Sequence, residues 1–131
     1  MTPTPCDLSE LPRIDAVVIS HNHYDHLDTA TIKSLAKPNT HFFVPLGNKQ
    51  WFDDLGISNV VEADWWDEYT LKNEKQEFKI GCTPCQHFSG RGLTDRNKTL
   101  WSSWILDVNQ KRFFFGGLVL VADILNAADL C

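Results

Sequence analysis

Ala16-Val17-Val18-Ile19-Ser20-His21-Asn22-His23-Tyr24-Asp25-His26 decides how this chain is read. The apolar run at its start has the composition of a buried strand. An H-x-H-x-D-H string follows at once, so its side chains emerge where that strand ends. His21 and His23 are two positions apart and leave extended backbone from the same face, whereas a helical metal pair would need the i, i+4 spacing. Neutral imidazole is a good zinc ligand. Asp25 and His26 are adjacent and cannot join the first pair without a sharp turn, so they read as the start of a second ion site. Two ions about 3.5–4 Å apart share a hydroxide and clamp the attacking and leaving oxygens of a phosphoryl or acyl centre. The reaction class this predicts is hydrolysis, with metal-bound hydroxide as nucleophile.

Working outward, the pattern is α/β. Asp28 or Thr29 caps a helix running to about Lys37, where Pro38-Asn39 stops it, and residues 40–44 read as a strand that makes His41 a strand-start residue. Residues 48–55 suit a second helix with Gly56 as its stop, and Val60-Val61 opens another strand. Phe78, Ile80 and Cys82 alternate with Glu77, Lys79 and Gly81, the period of a half-buried strand that delivers His87 shortly after its end. Residues 99–108 and 111–115 flank Asn109-Gln110 as a hairpin, with Trp101 and Trp104 assigned to the core. Strands thus end at both histidine-bearing segments, which lets these converge at one sheet edge.

Composition sets bounds. Of the 131 residues, 43% are hydrophobic and 22% charged, which is ordinary for a globular domain and not for a disordered one. A formal charge of −5 argues against general nucleic-acid binding. No secretory leader is visible at the start, and the longest apolar run, residues 113–122, is half of the ~20 needed to span a bilayer. It reads as a buried strand and its continuation, and the localisation expected is intracellular, cytoplasmic or peripheral to a membrane. Four cysteines without a leader read as reduced thiols. Cys82-x-x-Cys85 with His87 offers a structural zinc set, but a lone C-x-x-C is a weak signal.

The string in this context resembles the metallo-β-lactamase superfamily. Further motifs recur in order: Phe43-Val44-Pro45-Leu46-Gly47, Asp64-Trp65-Trp66, Thr83-Pro84-x-Gln86-His87, Asn97-Lys98-x-Leu100-Trp101-x-Ser103-Trp104 and Arg112-Phe113-Phe114-Phe115. Together they resemble the N-acylphosphatidylethanolamine-hydrolysing phospholipase D family over residues 7–117. The resemblance implies part of an αββα sandwich, roughly one half of it, with residues 118–131 as an atypical tail left by an alternative transcript end, a retained intron or a damaged gene model. It implies two zinc ions, the first held by His21, His23 and His87, the second begun by Asp25 and His26, with Asp25 also handling a proton. It implies release of N-acylethanolamine and phosphatidic acid from a phospholipid at a membrane surface, with homodimers in complete relatives.

The chain departs from the family pattern at one point. The family's bridging aspartate follows the Arg-Phe-Phe-Phe strand in a small-Gly-Asp triplet, and the corresponding residues here are Gly116-Gly117-Leu118. Asp123 stands five positions too far along to replace it, and the family's last histidine ligand has no counterpart. Two alternatives therefore stand beside the phospholipase reading: a superfamily hydrolase of another phosphoester or a lactone, and a metal-binding piece without activity. Arg91 and Arg96, in the glycine-containing loop after His87, are candidate headgroup contacts, because guanidinium grips phosphate oxygens in bidentate fashion. Trp65-Trp66 is the interfacial candidate.

Overall fold

The computed structural model describes residues 8–72 and 77–117, and the backbone of residues 119–122. After a 3-10 turn at Leu8–Glu10 the elements run β1 (Ala16–Ile19), α1 (Thr29–Leu35), β2 (His41–Pro45), α2 (Lys49–Asp53), β3 (Val60–Ala63), β4 (Glu68–Lys72), β5 (Glu77–Thr83), β6 (Ser103–Val108), β7 (Lys111–Phe115) and β8 (Val119–Ala122). Two four-stranded sheets result, ordered β3-β2-β1-β8 and β4-β5-β6-β7.

The period-2 alternation of the first sheet sorts its side chains into two cores. Ala16, Val18, Phe43 and Ala63 pack with Phe78, Ile80, Cys82, Trp104, Leu106 and Val108 of the second sheet. Val17, Ile19, Phe42 and Val44 turn the other way, onto Leu27, Ile32, Leu35 and Phe52 of the helical layer. A strand buried on both faces must be apolar at every position, which is why 16–19 carry no polar residue. The layers are therefore helix, sheet, sheet, as expected of part of an α/β sandwich. β1, β2 and β3 run parallel, with α1 and α2 as crossovers, and the second sheet is an antiparallel meander.

Most local expectations hold. The Asp28 carboxylate accepts from Thr31 N at 2.8 Å and starts α1. Gly56 sits at φ 75° just beyond α2, as its stop requires. Asn109 and Gln110 both have positive φ, 49° and 65°, the geometry of a two-residue I′ hairpin.

Three features differ. β6 starts at Ser103 and not at residue 99, because Leu100 N and Ser102 N donate to Leu46 O and Ser20 O of the first sheet's loops before the chain joins β5. β4 went unread, since its apolar positions amount to Tyr69 and Leu71 between exposed residues. The run from residue 113 is no buried strand: β7 is the sheet edge, with Phe114 70% exposed, and β8 leaves it to pair antiparallel with β1. Leu118 and Asp123 lie outside the described residues. Trp104 is fully buried, whereas Trp101 precedes β6, half-buried, and donates from Nε1 to Cys85 O at 3.0 Å. Trp65 turns inward and donates to Trp101 O at 2.7 Å, while Trp66 is 73% exposed. Among the described residues, no helix is long and apolar enough to cross a membrane.

Candidate metal centre

In parallel α/β sheets functional groups collect at the carboxyl ends of strands. Here β1 ends at Ile19, and Ser20 and His21 continue it before the chain turns, with His26 N and Leu27 N both donating to His23 O. Because Asn22 lies between two residues that share a face, its side chain points the other way, into the protein, and must find a partner there. It does: Asn22 is buried, and its Oδ1 accepts from Gly90 N at 2.8 Å. That bond reaches the loop that follows β5, the one carrying His87.

One ring nitrogen from each of His21, His23 and His87 lies within 4.8 Å of the others. His21 Nε2 and His87 Nε2 are 2.9 Å apart. In a tetrahedral site with Zn–N near 2.05 Å, ligand nitrogens stand about 3.3 Å apart, so the His21–His87 pair is within a few tenths of an ångström of ligating separation. Electrostatics agree. Burial, reinforced by the His87, His26 and His23 rings, lowers the His21 pKa to about 3. Burial and His23 lower that of His87. Both imidazoles are thus neutral at physiological pH, the protonation state in which imidazole binds metal. Ser20 Oγ lies 2.8 Å from His21 Nδ1. Were His21 to hold an ion through Nε2, its Nδ1 would carry the proton and donate it to this hydroxyl, which would fix ring and tautomer. The donor set fits a borderline-soft divalent cation such as zinc.

Asp25 and His26 stand outside that set. The Asp25 side chain is 77% exposed, and its Oδ2 is 3.4 Å from His26 Nε2. The His26 ring is 4.4 Å from that of His21, and its buried Nδ1 has no hydrogen-bond partner among the described residues. The C-x-x-C alternative is overturned. Cys82 is buried in the core between the sheets, where burial pushes its thiol up to about 11, and His87 is gathered with His21 and His23 instead.

The two loop arginines are placed differently. Arg91 donates from Nη1 to Asn22 O at 3.0 Å and to Leu27 O at 2.8 Å, with its guanidinium 4.2 Å from the centre of the Tyr24 ring. Arg96 lies 4.9 Å above the ring of Phe88, which itself packs edge-on against His23. Ser20 and Asn22 are the site residues that sequence reasoning missed. The signal for Asn22 was present, in a polar residue that the two-residue period turns away from the face shared by two ligands.

Residues 1–125 match the family model of the β-lactamase superfamily domain. The chain is 38% identical over 122 residues to N-acyl-phosphatidylethanolamine-hydrolyzing phospholipase D 1 of Caenorhabditis elegans, covering 88% of this chain and 34% of that protein. It is 37% identical over 107 residues to the mitochondrial N-acyl-phosphatidylethanolamine-hydrolyzing phospholipase D of Saccharomyces cerevisiae, covering 81% and 23%. It therefore spans between about a quarter and a third of these relatives' length. A solved structure of a putative metal-dependent hydrolase from Parabacteroides distasonis superposes with a TM-score of 0.55 at 23% identity, over 85% of this chain and 47% of that one, and supports the fold.

Proposed function

The chain belongs to the β-lactamase superfamily domain family, and from that premise we propose that it carries the first metal site of a zinc-dependent phosphodiester hydrolase acting on N-acylphosphatidylethanolamine. The observation that carries the proposal is the convergence of His21, His23 and His87, all from loops at strand ends, with His21 held neutral by burial. When bound, divalent zinc supplies Lewis acidity at the scissile centre and lowers the pKa of water there. His21, His23 and His87 would hold the first ion, and Asp25 and His26 would contribute to a second. The Asp25 carboxylate, exposed and 3.4 Å from His26 Nε2, would take up the proton. The net reaction forms a P–O bond from water and breaks the one to the N-acylethanolamine oxygen. That oxygen leaves with the proton water gives up, and phosphatidic acid remains.

Substrate class rests on the names of the relatives and on what borders the ligands. Tyr24, Phe88 and Leu93 are exposed large hydrophobics in the two ligand-bearing loops, and Arg96 adds a cation beside Phe88. An apolar rim with a positive charge suits an acylated, anionic phospholipid at a membrane surface, where the protein would bind peripherally. One observation favours a narrower second reading, a chain that holds one ion without turnover: the sequence has Leu118 where the family pattern carries its bridging aspartate. Elemental mass spectrometry of the purified chain and of His23→Ala, with N-acylphosphatidylethanolamine hydrolysis assayed in vesicles, separates the two. Two zinc ions and released N-acylethanolamine, both lost in the variant, support the hydrolase. One ion without turnover supports the second reading, and no zinc overturns both.

A further inference from the structure

We propose that Arg91 is a positioning residue for the metal centre, clamping the loop that carries His87 onto the loop that carries His21 and His23. This rests on the metal-site reading above. The connection between Thr83 and Ser103 has no regular element, yet it must hold one imidazole within a few tenths of an ångström of the position an ion requires. Three hydrogen bonds cross from Gly90 and Arg91 to the other loop: Gly90 N to Asn22 Oδ1 at 2.8 Å, and Arg91 Nη1 to Asn22 O at 3.0 Å and to Leu27 O at 2.8 Å. Asn22 stands between the first two ligands, and Leu27 N and His26 N both close onto His23 O. The guanidinium therefore grips both ends of the turn that presents His23.

The same group is held from other directions. Its central carbon lies 4.2 Å from the Tyr24 ring centre and 5.2 Å from that of Trp51, on α2. On its own side, Asp95 accepts from Arg91 N at 2.9 Å and from Gly92 N at 2.7 Å, closing the backbone that follows. One side chain thereby joins the His87 loop, the His21–His23 loop and α2. Lysine has the charge but not the flat fork, so it cannot stack on two rings while serving two carbonyls. A guanidinium committed in this way acts on the ligands' placement and is not free to grip a phosphate with Nη1.

The test uses the whole chain with Co2+ as the probe, following absorbance on titration, and measures backbone hydrogen exchange of residues 22–27 in the metal-free protein. Arg91→Ala should weaken Co2+ binding roughly ten- to a hundredfold, the usual effect of removing a group that orients ligands. It should also speed exchange at His26 and Leu27, while β6 amides keep their protection. Arg91→Lys should recover only part of either effect, and it stands in should the alanine variant not fold. Unchanged Co2+ affinity and unchanged exchange overturn the clamp, and a rise in substrate KM alone would return Arg91 to the headgroup. If the unaltered chain binds no Co2+, the metal-site reading and the clamp fall together.

Discussion

Lowering the pH should destabilise the metal-free protein in a window set by His21. An ordinary histidine titrates at 6.5, and in the folded chain His21 does so at about 3, chiefly because it is buried and secondarily because three other imidazoles surround it. The unfolded state therefore binds more protons than the folded state between these values, so stability is fully present above pH 6.5 and is lost as pH falls toward 3. At pH 5 the unfolded His21 is protonated and the folded one is not, and the linkage is worth about 2 kcal/mol, almost independent of how far below 5 the folded value lies. His87, lowered for similar reasons, acts in the same direction. Urea unfolding with chelator at pH 7.5 and pH 5 measures the loss as a fall in midpoint at constant m-value. A His21→Gln variant is the control, since glutamine does not titrate and its pH dependence should be flatter. Equal slopes in the two proteins would refute the reasoning, because they would show that folding does not strip the proton from His21.

Asp28→Ala should cost about 1 kcal/mol, read from chemical unfolding, by removing the acceptor for Thr31 N at the start of α1. Gln110→Gly should stabilise by about 1 kcal/mol in the same assay, because Gln110 holds φ 65° in the hairpin turn and glycine adopts that region without the Cβ penalty. Mapping iodoacetamide adducts at pH 8 should find Cys85 labelled well before Cys82, whose buried thiol titrates near 11. Equal labelling would mean that the core between the sheets opens readily.

What was legible in the sequence was what depends on near neighbours. His21 and His23 share a face because of a two-residue period, α1 starts where a carboxylate can cap it, and Asn109-Gln110 turns because two residues separate two strand patterns. What was not legible depends on partners distant in sequence. Residues 99–102 have strand-like composition, and only the carbonyls of Leu46 and Ser20, more than fifty residues earlier, divert them from β5. β8 was hidden for a similar reason, as its hydrogen bonds go to β1 at the other end of the chain. Arg91 read as a loop cation available to a ligand, because nothing local reveals that Asn22 and Leu27 turn their carbonyls toward it.

The contact between the sheets is what turns three histidines into a site. His21 is fixed by β1, and His87 hangs from a loop whose ends belong to β5 and β6, so the distance between them depends on how the second sheet sits on the first. Two hydrogen bonds set that seating where it matters. Trp104 Nε1 donates to Ile19 O at 2.9 Å, and Ser102 N donates to Ser20 O at 2.8 Å, so both join the start of β6 to the residues directly before His21. Trp104 is fully buried and packs its ring against Phe43 of β2, so it also contributes to the core that holds the sheets together. β1 is an interior strand, between β2 and β8, and the indole gives its last carbonyl a donor in a core where an unpaired buried acceptor costs about 1–3 kcal/mol. A single tryptophan thus satisfies the end of β1, fills the space between the sheets and sets the origin from which the His87 loop is measured. The ligand cluster is therefore a product of core packing as well as of its own three residues.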